Sequence, residues 1–294
     1  MRNEEIGAMV GSSAEWILNV SGIEERRFAA EGETVTDMAA CAARDCLTAA
    51  GVQAPELGLL LVSSGSAERR FPGPAASVAH RLGLDSVPAI DLPMASAGSL
   101  FGMALANELT RAYGKILVVA AEKMSSVVLQ PPMIPSTCVL FGDGAGACLL
   151  SAEEGSARIV DAAISTDGAF SEDLKLEFGH PLDMNGRTVI LQASRKIPRA
   201  IETLLERNGR AAADVGCFVM HQANQNLIVR IAAALGVGVE KFYSNISRYG
   251  NTSSASMLIA AAEWSRQSGF EPRVPVVFAT FGAGFHWGAL LCIA

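Results

Sequence analysis

The chain has 294 residues, half of them apolar and 18% charged, and its formal net charge at pH 7 is −7. This composition is typical of a folded α/β enzyme and excludes a disordered or fibrous protein. The acidic balance argues against nucleic acid or an anionic membrane as a partner, because both recognise basic surfaces.

The first half of the chain alternates strands with helices, which predicts a parallel sheet covered on both faces. After a short helix that carries Trp16, a longer helix is predicted over Asp37–Ala50, and Gly51 ends it. A further long helix is predicted over Leu100–Tyr113. The predicted buried strands are Leu57–Ser64, Val87–Leu92 and Lys115–Ala121.

Ser96 lies between the predicted strand Val87–Leu92 and the predicted helix Leu100–Tyr113. The N-terminus of a helix offers free backbone N–H groups and the positive end of the helix dipole, which favour negative charge. Ser96 therefore occupies a position suited to a nucleophile. On this stretch alone, a serine at a helix start is more often only an N-cap.

The glycine-rich run Phe141–Ala147 has the composition of a phosphate-binding loop. Such a loop follows a strand and opens a helix, whereas this run leads into a predicted strand over Ala147–Leu150. We therefore interpret it as a place where two backbone segments cross closely.

The second half of the chain repeats the pattern of the first. A glycine, six residues, a second glycine and a buried strand occur at Gly51–Gly58 and again at Gly209–Gly216. An internal duplication is the simplest explanation, and it divides the chain into halves at 1–158 and 159–294.

The helices predicted in the second half are Val189–Asn208, Asn224–Leu235 and Ser253–Gln267. Its predicted strands are Ile159–Asp167, Cys217–Met220 and Val274–Thr280, followed by the run Phe281–Ile293.

His221 ends a predicted strand, and Asn251 lies in the turn before the helix Ser253–Gln267. By the duplication, both occupy positions like that of Ser96, at the carboxyl edge where open sheets place their sites. A histidine there is more often a buried polar residue without chemistry. The three residues together predict a catalytic site.

Five motifs, in order over nearly the whole chain, carry a resemblance to a known family: Asp91–Met103, Phe141–Ala147, His221–Asn224, Gly250–Ser253 and Phe281–Gly288. Together they resemble β-ketoacyl-(acyl-carrier-protein) synthase III, a chain-initiating condensing enzyme of the thiolase superfamily. The resemblance implies a five-layered αβαβα fold of two duplicated halves, and usually a homodimer. It also implies acyl transfer from coenzyme A to the nucleophile, followed by decarboxylation of a malonyl thioester and carbon–carbon bond formation. Acyl-coenzyme A would be a substrate, and no cofactor is expected.

The resemblance also assigns roles to individual residues. His221 and Asn251 match the pair that polarises the malonyl thioester carbonyl, and the backbone N–H groups of Ser96 and Gly284 match the oxyanion hole. At the nucleophile the family has cysteine, whereas this chain has Ser96. The positions expected to contact substrate are Trp16, Phe71, Phe141, Asn224 and Phe285, with Trp16 stacking on adenine and the Phe71 loop walling the partner's site.

Several basic positions of the family are absent from this chain. Val20, Asn226 and a residue near Pro135 stand where the family has arginine, and Ala233 and Ala234 stand where it has basic residues. We therefore expect weak, salt-insensitive binding of a carrier protein. The chain also begins without the opening strand of the fold, so either the start codon is misassigned or the first sheet has an unusual edge.

Three functions remain open. A serine hydroxyl needs a base within reach, and His221 is the evident candidate. The leading hypothesis is an acyltransferase or starter-unit condensing enzyme of fatty-acid or polyketide-type biosynthesis, whose donors are acyl-coenzyme A or acyl-carrier-protein thioesters. The alternatives are a catalytically silent partner of an active homologue, and an acyl-thioester hydrolase. A serine introduced by engineering would leave the same sequence.

The cysteines lie mostly in apolar runs and form no C-x-x-C pair, which predicts buried, reduced thiols rather than a metal site or a disulfide framework. They are Cys41, Cys46, Cys138, Cys148, Cys217 and Cys292. Because no signal-peptide core or apolar run of membrane-spanning length occurs, we expect a cytoplasmic protein.

Overall fold

A computed structural model describes residues 1–153, 155–177 and 179–294. Its helices are α1 (Asn3–Val10), α2 (Ala14–Ser21), α3 (Val35–Ala50), α4 (Pro74–Arg81), α5 (Gly98–Tyr113), α6 (Ser125–Val128), α7 (Pro135–Cys138), α8 (Gly186–Arg207), α9 (Gln225–Ala234), α10 (Ile246–Tyr249) and α11 (Ser256–Gln267). Its strands are β1 (Leu57–Ser63), β2 (Ala89–Leu92), β3 (Lys115–Lys123), β4 (Asp143–Leu150), β5 (Arg158–Thr166), β6 (Leu174–Lys175), β7 (Asp183–Met184), β8 (Cys217–Met220), β9 (Phe242–Tyr243), β10 (Pro275–Gly282) and β11 (His286–Ile293).

Two mixed sheets form the body of the molecule. The first has the order β2-β1-β3-β4 and the second the order β9-β8-β10-β11-β5. In each sheet the inner strands run parallel and the strand after them, β4 or β11, turns back antiparallel. β6 and β7 form a small separate hairpin.

The helices make three layers around the two sheets. The apolar faces of α3 and α4 cover the outside of the first sheet, and those of α8 and α9 cover the outside of the second. Between the sheets lie α5 and α11, whose buried residues share one core with both. The fold is the predicted thiolase-like αβαβα sandwich. Strands buried on both faces explain the continuous apolar runs of the sequence.

The two sheets correspond strand by strand, as the predicted duplication requires, except at one edge. In the second sheet β11 pairs with β10 on one side and with β5 on the other. In the first sheet β4 pairs with β3 and forms an edge. The free side of β4 faces a groove of about 820 Å³ between α3 and α11. The division of the chain at 158/159 stays a prediction, and β5 begins at Arg158.

Local signals explain where the elements begin and end. Thr34 and Asp37 form a reciprocal capping box at the start of α3, and Gly51 ends the helix in the left-handed region at φ 65°. The glycine-rich run enters β4 rather than a helix, so the structure supports a close backbone crossing. A Cβ on Gly142 would lie 2.4 Å from the carbonyl oxygen of Tyr249, and one on Gly146 would lie 2.8 Å from the Leu258 side chain.

The prediction of buried cysteines is confirmed for Cys138 and Cys292, whereas Cys46, Cys148 and Cys217 are half-buried. All six are free thiols, and Cys41 is exposed. It lies on α3 outside the stripe of buried residues that includes Ala39, Ala43 and Leu47, because helical periodicity turns it away from the sheet. Within the described residues, no helix is long and apolar enough to cross a lipid bilayer.

Candidate active site

Ser96 lies on the tight turn between β2 and α5, with its backbone in the left-handed region at φ 62°. A residue other than glycine adopts this conformation only where its surroundings hold it. Two hydrogen bonds from the second half of the chain hold Ser96. Its N–H donates to Ser253 Oγ at 3.0 Å, and its carbonyl oxygen accepts from Thr280 Oγ1 at 3.0 Å. The nucleophile position is therefore fixed across the interface between the two halves.

Gly282, the last residue of β10, packs directly against the Ser96 turn. A Cβ at this position would lie 2.4 Å from Ala95 O, 2.9 Å from Ala97 N and 2.9 Å from the Ser96 Cβ. Only a glycine allows the backbone of β10 to approach the turn so closely. The terminal glycine-rich motif therefore packs directly against the predicted nucleophile position.

Asn251 is buried beside the glycine-rich run and forms a parallel bridge with Phe141. Its Oδ1 accepts the N–H of Ser253 at 2.9 Å. This bond identifies the amide oxygen, so the Nδ2 group is the other end of the side chain. Within the described residues Nδ2 has no hydrogen-bond partner, and it is available as a donor to a substrate.

His221 follows β8 and is 6% exposed. Its Nδ1 lies 2.6 Å from Ser256 Oγ, which also accepts the N–H of Gln222 at 3.0 Å. Burial lowers the pKa of His221 from 6.5 to about 4, so the ring is neutral at pH 7. A neutral ring with Nδ1 held by a hydroxyl presents Nε2 as either an acceptor or a donor, according to the tautomer.

One short segment connects the three predicted catalytic residues. Residues 251–256 include Asn251 itself. Within the same segment Ser253 Oγ accepts the N–H of Ser96, and Ser256 Oγ is hydrogen-bonded to the His221 ring. The structure thus brings Ser96, His221 and Asn251 to one site, on the same edge of the two sheets.

The two N–H groups predicted to form the oxyanion hole, those of Ser96 and Gly284, have different surroundings in the structure. The N–H of Ser96 is occupied by Ser253 Oγ. Gly284, at φ 138°, would place a Cβ 2.4 Å from the His286 ring, so this glycine packs against His286. The glycine in contact with Ser96 is Gly282. The use of the Ser96 and Gly284 N–H groups by an oxyanion stays a prediction.

Two of the predicted substrate contacts lie in the core. Phe285 is fully buried and stacks on Phe170 with ring centroids 5.3 Å apart. Phe141 is 5% exposed and belongs to a cluster with Met124 and Val128. Direct contact with a substrate stays a prediction for each.

The other predicted substrate contacts lie at the surface. Asn224 Nδ2 donates to Val20 O at 2.8 Å while its Oδ1 caps α9, so this side chain joins α9 to α2. Trp16, on the same helix α2, is 42% exposed. Phe71 is 84% exposed, which is unusual for a phenylalanine and is consistent with a position covered by a partner.

Lys196, a basic residue of α8, already has partners within the protein. Lys196 Nζ pairs with Asp167 at 2.7 Å and lies 4.1 Å from the centre of the Trp287 ring. Its charge is therefore already neutralised within the protein. Among the described residues, no three His, Cys, Asp or Glu side chains are grouped to hold a metal ion.

One buried acidic side chain near the site was missed by sequence reasoning. Glu122, near the end of β3, is fully buried and accepts hydrogen bonds from Ser253 and Ser254. The available signal was a single acidic residue at the carboxyl end of an otherwise apolar strand. Nothing in the sequence indicates that serines 131 and 132 positions away surround it.

Comparisons with known proteins show which family the chain resembles. The family model described as 3-oxoacyl-(acyl-carrier-protein) synthase III matches residues 90–168, and the model of its C-terminal part matches residues 205–293. A β-ketoacyl-(acyl-carrier-protein) synthase III of Oleidesulfovibrio alaskensis is 36% identical, over 99% of this chain and 94% of the relative.

Solved structures of similar proteins superpose on this chain. The crystal structure of 3-oxoacyl-(acyl-carrier-protein) synthase III from Aquifex aeolicus superposes with a TM-score of 0.95 and 33% identity, covering 100% of this chain and 95% of that one. A priming β-ketosynthase of a polyketide biosynthetic pathway superposes with a TM-score of 0.91 and 30% identity, covering 100% and 92% of the two chains.

Proposed function

The chain belongs to the 3-oxoacyl-(acyl-carrier-protein) synthase III family, and on that premise we propose that it transfers an acyl group from a coenzyme A or carrier-protein thioester to Ser96. The acyl group then serves as a starter unit in fatty-acid or polyketide-type biosynthesis. The observation that carries the proposal is the left-handed Ser96 turn, joined to Asn251 and His221 through residues 251–256.

In the first step the Ser96 hydroxyl oxygen attacks the thioester carbonyl carbon. The hydroxyl proton passes to Nε2 of His221, and the carbon–sulfur bond breaks as the acyl–oxygen bond forms. His221 then returns the proton to the leaving thiolate. This step uses the tautomer in which Nδ1–H donates to Ser256 Oγ, and the pKa of about 4 keeps the ring in its neutral, proton-accepting form at pH 7.

In the second step a malonyl thioester replaces the released thiol. Asn251 Nδ2 and His221 Nε2–H donate to its carbonyl oxygen and stabilise the enolate that forms as carbon dioxide leaves. The enolate carbon attacks the acyl carbon, the acyl–oxygen bond breaks, and the released Ser96 alkoxide takes a proton that comes from water. This step uses the other tautomer, with Ser256 donating to Nδ1. An oxygen ester is a poorer acyl donor than a thioester, so we expect condensation to be slower than acylation.

A catalytically silent partner subunit is the second candidate, and one observation favours it. Within the described residues, no side chain, His221 included, forms a hydrogen bond with the Ser96 hydroxyl. Catalytic hydrogen bonds in unliganded enzymes are often long and shorten when substrate binds. The retention of both His221 and Asn251, buried and with donor atoms free, supports the enzyme.

Intact-mass spectrometry after incubation with a panel of acyl-coenzyme A thioesters tests the proposal. We expect one acyl adduct on the peptide that carries Ser96. Ser96→Ala should abolish the adduct, and His221→Ala should slow its formation by roughly 100-fold, the usual contribution of a general base. Ser96→Cys should acylate faster, because a thiol at this position is partly ionised at neutral pH.

The alternatives give different results in the same assay. Free fatty acid released without an acceptor indicates thioester hydrolysis. No adduct with any donor, together with an inert Ser96→Cys variant, refutes the enzyme and leaves the silent partner.

A further inference from the structure

Glu122 is placed where the two halves of the chain meet behind the nucleophile. Its Oε1 accepts hydrogen bonds from Ser253 Oγ at 2.9 Å and from Ser254 at 2.6 Å (Oγ) and 3.3 Å (N–H). Both serines belong to the segment before α11, 131 and 132 residues further along the chain. The carboxylate therefore anchors this segment of the second half to the first sheet.

The other oxygen of Glu122 anchors the loop after β1. Oε2 accepts from Ser66 Oγ at 2.6 Å and from the N–H of Gly65 at 3.0 Å. Ser66 Oγ in turn accepts the N–H of Lys123 at 2.8 Å. Burial raises the pKa of Glu122, and the hydrogen bonds that serines donate to both of its oxygens oppose that shift.

The Ser253 hydroxyl transmits the position of Glu122 to the nucleophile. A hydroxyl group has one hydrogen, and Ser253 donates it to Glu122. The remaining lone pairs are the acceptors, and one of them takes the N–H of Ser96 at 3.0 Å. Glu122 thus determines which way Ser253 Oγ points, and Ser253 Oγ fixes the Ser96 amide.

We infer that Glu122 is a positioning residue for Ser96, acting through the Ser253 hydroxyl to hold the nucleophile turn in its left-handed conformation. The inference rests on the proposed role of Ser96 as the acylated residue. Glu122 touches neither Ser96 nor the space in front of it, so its effect is on the geometry of attack rather than on substrate affinity.

The chain supplies a matched pair of variants. Ser253 and Ser254 both donate to Oε1 of Glu122 and are at most 1% exposed, but Ser253 contacts Ser96 and Ser254 does not. Ser253→Ala should lower the acylation rate constant about 10- to 100-fold, the effect of a displacement of the order of 1 Å. Ser254→Ala should change it by less than about threefold, and neither should alter the half-saturating concentration of acyl-coenzyme A.

A second measurement does not depend on activity. In the unmodified protein the Ser96 amide is hydrogen-bonded, so its hydrogen should exchange slowly with solvent deuterium. Exchange should accelerate at least about tenfold in Ser253→Ala and in Glu122→Gln, whose amide nitrogen cannot accept, and should be unchanged in Ser254→Ala. If Glu122→Gln does not fold, the serine pair still decides the question.

The two measurements separate the two claims. Equal effects of Ser253→Ala and Ser254→Ala on both rate and exchange overturn the positioning role, because a purely structural cluster does not distinguish them. If the exchange pattern is as expected but no acyl adduct forms, the positioning role of Glu122 is supported and the proposed acyl transfer is refuted. An unchanged acylation rate in Ser253→Ala, with the adduct present, overturns the positioning role alone.

Discussion

A methyl group at Gly282 offers a direct test of the nucleophile turn. In Gly282→Ala the added carbon would lie 2.4 Å from Ala95 O, and ordinary contact begins at 3.4 Å, so the turn or the end of β10 must move by about 1 Å. The three atoms closest to this Cβ all belong to residues 95–97. The displacement therefore falls on the backbone of Ser96 rather than on a side chain that can rotate away.

The magnitudes follow from that displacement. Overpacking a buried site costs about 1–3 kcal/mol, and replacing glycine by alanine returns about 0.4–1 kcal/mol by restricting the unfolded chain. We expect the free energy of unfolding to fall by about 1–2 kcal/mol. A 1 Å misplacement of a reacting group costs about 100-fold in rate, so acylation should fall far more than stability.

Urea unfolding and the acyl-adduct assay measure the two quantities on the same samples. Gly168→Ala is the matched control, because this exposed glycine has nothing within 4 Å of its Cβ position and does not need a positive φ. The reasoning is refuted if Gly282→Ala acylates at the unmodified rate, or if the control loses as much activity as the variant.

Three further predictions concern pH, assembly and carrier binding. As the pH falls from 6.5 towards 4, His221 becomes protonated in the unfolded chain but not in the folded protein, so the free energy of unfolding should fall in that window. The difference between a pKa of 6.5 in the unfolded chain and about 4 in the folded protein corresponds to about 3 kcal/mol. The free energy of unfolding of His221→Asn, measured by urea titration at each pH, should lack this part of the pH dependence. The same pH dependence in both proteins would contradict the prediction. Light scattering should show a dimer that Phe71→Ser weakens, and a monomer at micromolar concentration would count against the predicted assembly. Binding of a fatty-acid carrier protein should be weak and change little with salt. An affinity that collapses on adding salt would show that basic residues elsewhere replace the arginine absent at Asn226.

Sequence reasoning predicted those features that a local pattern determines. Apolar runs and glycine stops located most strands and helices, and the repeated glycine spacing predicted two corresponding sheets. Ser96 and His221 were identified because each follows a buried strand, and parallel strands bring their carboxyl ends to one edge.

Features that depend on contacts between distant segments could not be predicted. The role of Ser253 on the Ser96 amide joins residues 157 positions apart, and no local pattern signals it. The cap that Asn224 places on α9 and its hydrogen bond to Val20 likewise join distant segments, while its assigned contact with substrate stays a prediction. The exposure of Cys41 depends on which side of α3 faces the sheet, which a count of apolar residues does not give.

The free side of β4 has a consequence for strand pairing between molecules. An unpaired strand edge is a template for aggregation, and proteins usually protect such edges with charged residues or proline. β4 reads DGAGACLL, with one charge at its start and no proline. Residues of α3 and α11 line both walls of the groove beside it, so the edge is recessed. The two helices therefore flank this edge and restrict the approach of a second sheet.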